Sequence, residues 1–256
     1  MKAKTAVILC GGKGTRLGSL GKKIPKTLSR VHGKPIIWYI IKSLSKNSFN
    51  HFILPVGYKG QMIKKYFLKE KDFKDKNIQI VFTGINTSIS QRIFKIKKFI
   101  KSKNFVLLNG DGIFKFNLNN IFQEHENKKN SITFLGSEAQ LPYGIVGIKN
   151  RKIVSFERES SFDATLSKNK INFIGQIYSG ISILKTDLLK LNFKFFKSFE
   201  KQFYPIIIKR FKSNFRKISG TWYSVDNQKD LNFLNEKKNK TVYKKIKLLR
   251  EIFNEK

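Results

Sequence analysis

The sequence predicts an α/β fold: a Rossmann-like three-layer sandwich on a mainly parallel mixed sheet, with a smaller β-rich subregion. In the first half of the chain, short apolar runs of strand character alternate with segments of helical periodicity, which is typical of a parallel sheet covered by helices. The first run, 4–10, opens directly into a glycine-rich loop, a common arrangement for binding phosphate. The second half has more strand-like runs, and these predict the β-rich subregion.

The first half predicts strands at 4–10, 51–56, 78–82 and 105–108, with helices over 35–44, about 60–69 and 91–100. Pro35 suits the first turn of its helix, because that position needs no backbone N–H. Units of this kind wind right-handed and bind their ligands at the carboxyl ends of the strands. We therefore expect the glycine-rich loop and Asp111 at the same edge of the sheet.

The second half predicts strands at 131–136, 144–149, 152–156, 172–184 and 214–218, and helices near 198–211 and 227–237. Residues 239–256 predict a basic amphipathic helix that serves packing or a dimer contact. No linker or internal repeat interrupts the chain, so one domain is expected over 1–238. The sequence leaves open whether the chain forms a homo-oligomer.

The composition suits a single core, since 40% of the 256 residues are apolar. The net charge of +35 could attract nucleic acid, but the lysines are spread along the chain and the aromatic residues form no RNA-binding platform. We therefore expect no nucleic-acid partner. No run approaches the roughly 20 apolar residues that span a bilayer, and no leader is evident. The sequence thus predicts a cytoplasmic protein without membrane insertion.

The loop after the first strand combines glycines with cations. Glycines let backbone N–H groups approach an anion closely, and fixed cations offset its charge. The dinucleotide fingerprint is excluded because it needs glycine where Leu17 stands, and the Walker loop is excluded because Lys23 replaces its Ser or Thr. The glycines are Gly11, Gly12, Gly14 and Gly18, and the cations are Arg16, Lys22, Lys23 and Lys26. This density of cations predicts a nucleotide-phosphate site.

Two aspartates are candidate ligands for magnesium. Asp111 follows an apolar strand and stands between two glycines, and Asp226 lies in a late strand-to-helix segment. Mg²⁺ favours one or two carboxylates completed by substrate phosphates and water. The alternatives are a turn residue at Asp111 and a helix N-cap at Asp226. The three histidines share no metal-ligand spacing, and no Ser-His-Asp or Cys-His set is evident.

The segment Gly-Gly-x-Gly-Thr-Arg-Leu followed by Pro25-Lys26 resembles the sugar-nucleotide pyrophosphorylases, or nucleotidyltransferases. Within them the chain looks most like the glucose-1-phosphate cytidylyltransferases, through segments beginning at Lys34, Gly57 and Thr83 and through Asn-Gly-Asp-Gly at 109–112. The resemblance implies the nucleotide-diphospho-sugar transferase fold, with a nucleotide-binding part to about 130 and an acceptor-binding part over 131–238. It also implies a magnesium-dependent reaction of CTP with a sugar 1-phosphate, giving a CDP-linked product and pyrophosphate, for surface polysaccharide.

The resemblance also implies roles for residues, which fall into four sets. Arg16, Lys26 and Asp111 are the expected catalytic residues, and Asp111 and Asp226 are the expected metal ligands. Nucleotide binding is expected at Leu9, Gly11, Gly12, Gly14, Thr15, Arg16, Lys26, Thr83, Asn86, Thr87, Arg92 and Gly110. Acceptor binding is expected at Tyr143, Gly144, Glu157, Arg158, Ser179 and Gly180.

Two departures from the family pattern concern the acceptor. Glu157-Arg158-Glu159 stands where the family has Glu-Lys-Pro, and Arg and Lys differ in reach and geometry. Tyr178-Ser179-Gly180 stands where the family has Asn-x-Gly. A non-hexose phosphate, such as a polyol phosphate or phosphoglutamine, and UTP, dTTP or GTP as donor therefore remain alternatives. A glycosyltransferase, a non-catalytic nucleotide-binding regulator and a nucleic-acid-binding protein are the alternatives from other classes.

Overall fold

The computed structural model describes residues 4–138, 145–157, 163–166, 171–237 and 240–254. The helices in these ranges are α1 (Gly18–Lys23), α2 (Ile36–Lys46), α3 (Gly60–Lys69), α4 (Ile89–Ile96), α5 (Leu118–Asn127), α6 (Tyr204–Arg210), α7 (Gln228–Asn235) and α8 (Lys240–Asn254). The strands are β1 (Lys4–Leu9), β2 (Arg30–Val31), β3 (Lys34–Pro35), β4 (Phe49–Val56), β5 (Asn77–Phe82), β6 (Asn104–Asn109), β7 (Gly112–Lys115), β8 (Ile132–Glu138), β9 (Ile145–Lys149), β10 (Lys152–Glu157), β11 (Asp163–Leu166), β12 (Ile171–Ile174), β13 (Gln176–Lys185), β14 (Ser213–Lys217) and β15 (Thr221–Ser224).

Seven strands form the central sheet, in the order β14-β8-β13-β6-β1-β4-β5. Within it β13 is antiparallel to both of its neighbours, and the other strand pairs are parallel. The β9–β10 and β11–β12 pairs form separate two-stranded sheets. The prediction of an α/β fold on a mainly parallel mixed sheet is therefore confirmed.

The apolar sequence of β1 explains why helices cover both faces of this sheet. Ala6 and Ile8 join a core cluster that includes side chains of α2, α5, α7 and α8, whereas Val7 joins a second cluster with α4 and α6. All three side chains are fully buried. Because successive side chains on a strand point to opposite faces, an uninterrupted apolar strand needs cover on both sides. The result is the three-layer sandwich.

The helix boundaries follow from capping residues that the periodicity did not reveal. α4 begins before the predicted residue 91, because the Ser88 hydroxyl and the Gln91 side chain form a reciprocal capping box. The helix predicted near 198–211 starts as a π-helical turn, Phe199–Phe203, and continues as α6.

The ladder of β7 with β15 was not predicted, and it brings two distant segments of the chain together. Gly112 pairs with Ser224, and the Val225 N–H donates to the Asp111 carbonyl at 2.9 Å. Asp111 precedes β7 and Asp226 follows β15 by two residues, so both stand at the same end of the ladder.

The C-terminal helix α8 packs against α2, as its amphipathic sequence predicts. The Phe253 ring lies 6.2 Å from that of Trp38, and the Arg250 guanidinium donates to the His32 carbonyl at 2.9 Å. None of the helices in the described ranges is both long and apolar enough to cross a membrane.

Candidate active site

A cleft of about 710 Å³ lies at the carboxyl ends of β1 and β6, the edge that the sequence predicts for the site. The loop after β1 forms one wall, and the turn after β6 and the segment after β5 form others. The lining residues are Leu9, Cys10, Gly11, Gly12, Lys13, Gly14, Thr15, Arg16, Lys26, Thr27, Ile85, Thr87, Ser88, Ile89, Arg92, Asn109, Gly110, Asp111, Glu200 and Asp226.

Two glycines in the walls are required by close approach or by backbone conformation. A Cβ at Gly110 would lie 2.6 Å from the Thr27 methyl group and 2.7 Å from the Leu9 carbonyl oxygen. Gly14 has φ of 62°, in the left-handed region that glycine adopts without strain. The glycine pattern therefore shapes the loop around the cleft.

The charged centre of the cleft is Lys26, which joins the two aspartates. Its Nζ donates to Asp111 Oδ2 at 2.7 Å and lies 3.4 Å from Asp226 Oδ1. Arg16 Nη1 lies 3.6 Å from the same Asp226 oxygen. The Arg16 side chain is 77% exposed and the Lys26 side chain 17%, so Arg16 is free to meet a ligand while Lys26 is held in place.

The donor set fits a magnesium ion that substrate completes. One ammonium group contacts both carboxylates, so the two acids lie close enough to share a cation. Among the described residues no group of three or more His, Cys, Asp or Glu side chains could hold a metal by itself. Mg²⁺ commonly takes one or two carboxylates plus phosphate oxygens and water.

Cys10 lines the cleft but lacks the properties of a nucleophile. Burial, and secondarily the Asp111 carboxylate, raise the pKa of its thiol well above the usual range. A thiol that stays protonated is a poor nucleophile. Cys10 is therefore not a candidate nucleophile for a transfer in this cleft.

Buried Arg92 connects three of the loops that form the cleft. Its guanidinium donates to Thr83 Oγ1 at 2.6 Å, to the Gly11 carbonyl at 2.9 Å and to the Val56 carbonyl at 3.3 Å. A longer bond of 3.4 Å reaches the Ile85 carbonyl. Desolvation lowers the pKa of Arg92, yet no carboxylate among the described residues pairs with it. Arg92 thus holds the ends of β1, β4 and β5 in register.

Most of the expected nucleotide residues lie together in the cleft. Thr83 instead lies behind the wall, buried and bonded to Arg92, and Asn86 is not among the lining residues. Of the expected nucleotide residues, those that line the cleft are Leu9, Gly11, Gly12, Gly14, Thr15, Arg16, Lys26, Thr87, Arg92 and Gly110. The two expected metal ligands, Asp111 and Asp226, line it as well. Their roles in nucleotide binding stay predictions.

The expected acceptor residues are not brought together in the described part of the chain. Ser179 is buried and donates its hydroxyl to the Leu135 carbonyl at 2.7 Å, and Gly180 lies against Asn109. Glu157 ends β10, and only its backbone is described. Tyr143, Gly144 and Arg158 lie outside the described residues.

Among the lining residues of the cleft, Glu200 is the acidic one that sequence reasoning missed. Glu200 and Asp111 both line the cleft, and partial burial together with the Asp111 carboxylate raises the pKa of Glu200. Glu200 comes from the π-helical turn before α6, far from Asp111 in sequence. The other lining residues that were not predicted are Cys10, Lys13, Thr27, Ile85, Ser88, Ile89 and Asn109. No local motif could have singled out Glu200.

Comparison with known proteins gives the family. The family model described as nucleotidyl transferase matches residues 5–198. The chain is 33% identical over 182 residues to a probable glucose-1-phosphate cytidylyltransferase of Bacillus subtilis, covering 63% of this chain and 71% of that protein. It is 32% identical over 187 residues to a D-glycero-α-D-manno-heptose 1-phosphate guanylyltransferase of Campylobacter jejuni, covering 72% of this chain and 76% of that protein.

A solved structure shows the same fold. HddC from Yersinia pseudotuberculosis superposes with a TM-score of 0.69 at 22% identity, over 91% of this chain and 99% of that chain. The prediction of the nucleotide-diphospho-sugar transferase fold is thereby confirmed. The family model matches residues 5–198, and the glycine-rich cleft lies at the expected edge of the sheet. The chain therefore belongs to the nucleotidyl transferase family and is a nucleotidyltransferase of the sugar-nucleotide pyrophosphorylase superfamily.

Proposed function

We propose that this enzyme transfers CMP from CTP to a sugar 1-phosphate, releasing pyrophosphate, with Mg²⁺ as cofactor and surface polysaccharide assembly as its cellular role. The observation that carries the chemistry is the contact of Lys26 with both Asp111 and Asp226 at the mouth of the glycine-rich loop. The cytidyl donor is supported by similarity to the Bacillus subtilis protein. A cytoplasmic location suits a reaction that consumes nucleoside triphosphate.

The reaction is one in-line displacement. A phosphate oxygen of the acceptor attacks the α-phosphorus of CTP, and a new P–O bond forms while the bond to the bridging α,β-oxygen breaks. The electron pair of that bond leaves with pyrophosphate. The acceptor phosphate is already anionic, so the chain needs no side-chain nucleophile, in agreement with the protonated Cys10 thiol.

The residues of the cleft contribute by position and charge. The loop after β1 offers backbone N–H groups to the triphosphate, and Arg16 and Lys26 offset the negative charge that develops on the leaving pyrophosphate. Asp111 and Asp226 would hold Mg²⁺, which when bound supplies Lewis-acid stabilisation of the phosphoryl oxygens. Arg92 keeps the loops at the ends of β1 and β5 in place for the base and ribose.

A pyrophosphate-release screen tests this proposal. CTP, UTP, dTTP, GTP and ATP are each incubated with Mg²⁺ and a panel of sugar 1-phosphates, polyol phosphates and phosphoglutamine. We expect release that needs both CTP and a sugar 1-phosphate and that stops with EDTA. A glycosyltransferase releases no pyrophosphate, so absence of release with every pair would contradict the proposal.

A guanylyltransferase is the second candidate, because the Campylobacter jejuni relative carries that name at similar identity and higher coverage of this chain. It shares the chemistry and differs only in the base. Preference for GTP over CTP in the same screen would decide for it.

A further inference from the structure

A second cavity of about 360 Å³ lies beside the cleft and shares Glu200 with it. Strands β8 and β14, the start of β13 and helix α6 form its walls. Its lining residues are Phe134, Gln176, Tyr178, Glu200, Tyr204, Pro205, Ile208 and Phe215. Because Glu200 belongs to both linings, the cleft and the cavity meet at this side chain.

The aromatic side of this cavity is rigid and offers no free hydroxyl. The rings of Phe134 and Tyr204 meet edge to face at 4.9 Å, and those of Phe134 and Tyr178 at 5.6 Å. The two tyrosine hydroxyls lie 3.0 Å apart and hydrogen-bond to each other. Burial raises the pKa of Tyr204 to about 12 and raises that of Tyr178 too, so both rings stay neutral near pH 7.

The polar groups of the cavity that lack partners are oxygen acceptors. Within the described residues, the Glu200 carboxylate makes no hydrogen bond or ion pair, and the buried Gln176 Oε1 has no donor. The chain has 52 Lys and Arg residues against 17 Asp and Glu, yet none of the described cations pairs with Glu200. The exposed Glu200 carboxylate faces solvent where the cleft and the cavity meet, so a cationic group of a ligand can pair with it there.

A carboxylate beside aromatic faces is a recognised environment for an organic ammonium group. The carboxylate gives a charge-assisted hydrogen bond, and the ring faces attract the cation through their quadrupoles. A neutral hydroxyl would gain only the weaker part of this interaction. The cavity therefore favours a positively charged N–H donor over a neutral hydroxyl at the same place.

We propose that this cavity binds the amine-bearing end of the acceptor, so that the substrate is a phosphorylated compound with a primary ammonium group, such as an amino-sugar phosphate. This inference rests on the proposed nucleotidyl transfer to a phosphorylated acceptor. In that reaction the acceptor phosphate must lie near Asp111, and Glu200 stands between Asp111 and the aromatic walls. The body of the acceptor then extends past Glu200 into the cavity.

The test compares three acceptors that differ at one substituent: glucosamine 1-phosphate, glucose 1-phosphate and N-acetylglucosamine 1-phosphate. We expect kcat/KM for the amine to exceed that for the hydroxyl compound by about tenfold, as one charge-assisted contact supplies. In Glu200→Gln we expect the ratio of the two kcat/KM values, amine to hydroxyl compound, to fall to about one, because only the amine compound loses a charge-assisted partner. Glu236→Gln, a matched change at an exposed carboxylate outside both linings, keeps the preference.

Equal rates with the three acceptors, or an equal loss for all of them in Glu200→Gln, would overturn the inference. Turnover of glucose 1-phosphate alone would support cytidylyl transfer and contradict only the ammonium site. Turnover of the amine compound with GTP in place of CTP would support the ammonium site and contradict CTP as the donor. If no pair turns over, calorimetric titration with glucosamine 1-phosphate and a non-hydrolysable CTP analogue decides, since binding that Glu200→Gln does not weaken contradicts the site.

Discussion

At the scale of single residues, the cleft depends on charges that compensate one another. Lys26 and Arg16 together offset the charges of Asp111 and Asp226 before any substrate arrives, which reduces the repulsion between the two carboxylates. A cation that binds between the acids must compete with this ammonium group. A metal ion that displaces the Lys26 ammonium group from the two acids would leave that group available to a triphosphate.

We expect Asp111→Asn to lower kcat at least about 100-fold while CTP still binds, because the change removes a ligand charge and leaves the backbone bond to Val225 intact. Steady-state pyrophosphate release and equilibrium CTP binding measure the two effects. Asp75→Asn, at an exposed site outside the cleft, is the matched control. Near-normal turnover in Asp111→Asn would contradict the assignment of Asp111 as a metal ligand.

We expect Arg92→Met to lower the free energy of unfolding by about 3 kcal/mol, because the buried carbonyls of Gly11 and Val56 and the Thr83 hydroxyl all lose a donor. Urea unfolding measures it, and CTP affinity falls with it because the loops lose their common anchor. Lys97→Met, which removes a cation from the short helical turn after α4, is the control. A change within about 0.5 kcal/mol would contradict the anchoring role.

At the scale of secondary-structure elements, helix α5 is held to strand β8 by a histidine that burial keeps neutral. His125 Nδ1 lies 2.9 Å from Thr133 Oγ1, and the side chain is almost wholly buried. Burial, with a smaller contribution from Lys185, lowers the pKa of His125 to about 4. The imidazole therefore keeps its hydrogen bond without a charge that the core cannot solvate.

The pH dependence of stability follows from this shift. As the pH falls below 6.5 the unfolded chain binds a proton at His125, whereas the native protein binds it only near pH 4. The free energy of unfolding therefore falls between those values, by up to about 3 kcal/mol, and this contribution levels off at lower pH. It is fully present above pH 6.5.

Urea unfolding from pH 7.5 to 4 checks this by comparing the protein with His125→Gln. His32 and His51 are shifted in the same direction and contribute to the slope in both proteins. The difference between the two slopes therefore isolates His125. If the unfolding free energies of the two proteins change in parallel with pH, His125 has the same pKa in the native and unfolded states, which would contradict the prediction.

At the scale of the whole molecule, the net charge of +35 opposes compactness. Most described carboxylates are already paired with a lysine or arginine, which leaves a large excess of cations on the surface. Like charges that lie within a Debye length of each other repel, and salt screens this repulsion.

We therefore expect the melting temperature to rise by a few degrees when NaCl increases from about 20 to 300 mM, opposite to a protein held by surface ion pairs. Differential scanning calorimetry with chloride alone avoids anions that bind the cleft. A melting temperature that falls with salt would show that surface ion pairs outweigh the repulsion.

The same charge makes weak, unspecific attraction to RNA the expected behaviour rather than a function. Filter binding near 150 mM salt should show little retention and no preference among sequences. Tight binding that decreases steeply with salt would revive the nucleic-acid-binding alternative.

The sequence by itself determined the fold class, the glycine-rich loop and the sheet edge that carries it. These depend on local patterns: the alternation of strands and helices, and glycines and cations directly after an apolar strand. Asp111 could be placed at that edge because it follows another predicted strand, β6.

Only the tertiary structure decided which side chains meet in the cleft. The β7–β15 ladder sets Asp226 beside Asp111, Glu200 from the π-helical turn before α6 lines both cavities, and Arg92 reaches three loops. Each depends on pairing or packing between segments far apart in the chain, and local periodicity carries no information about such contacts. The glycine-rich loop could therefore be predicted from the sequence, whereas the positions of the Asp226 and Glu200 carboxylates in the cleft depend on the tertiary structure.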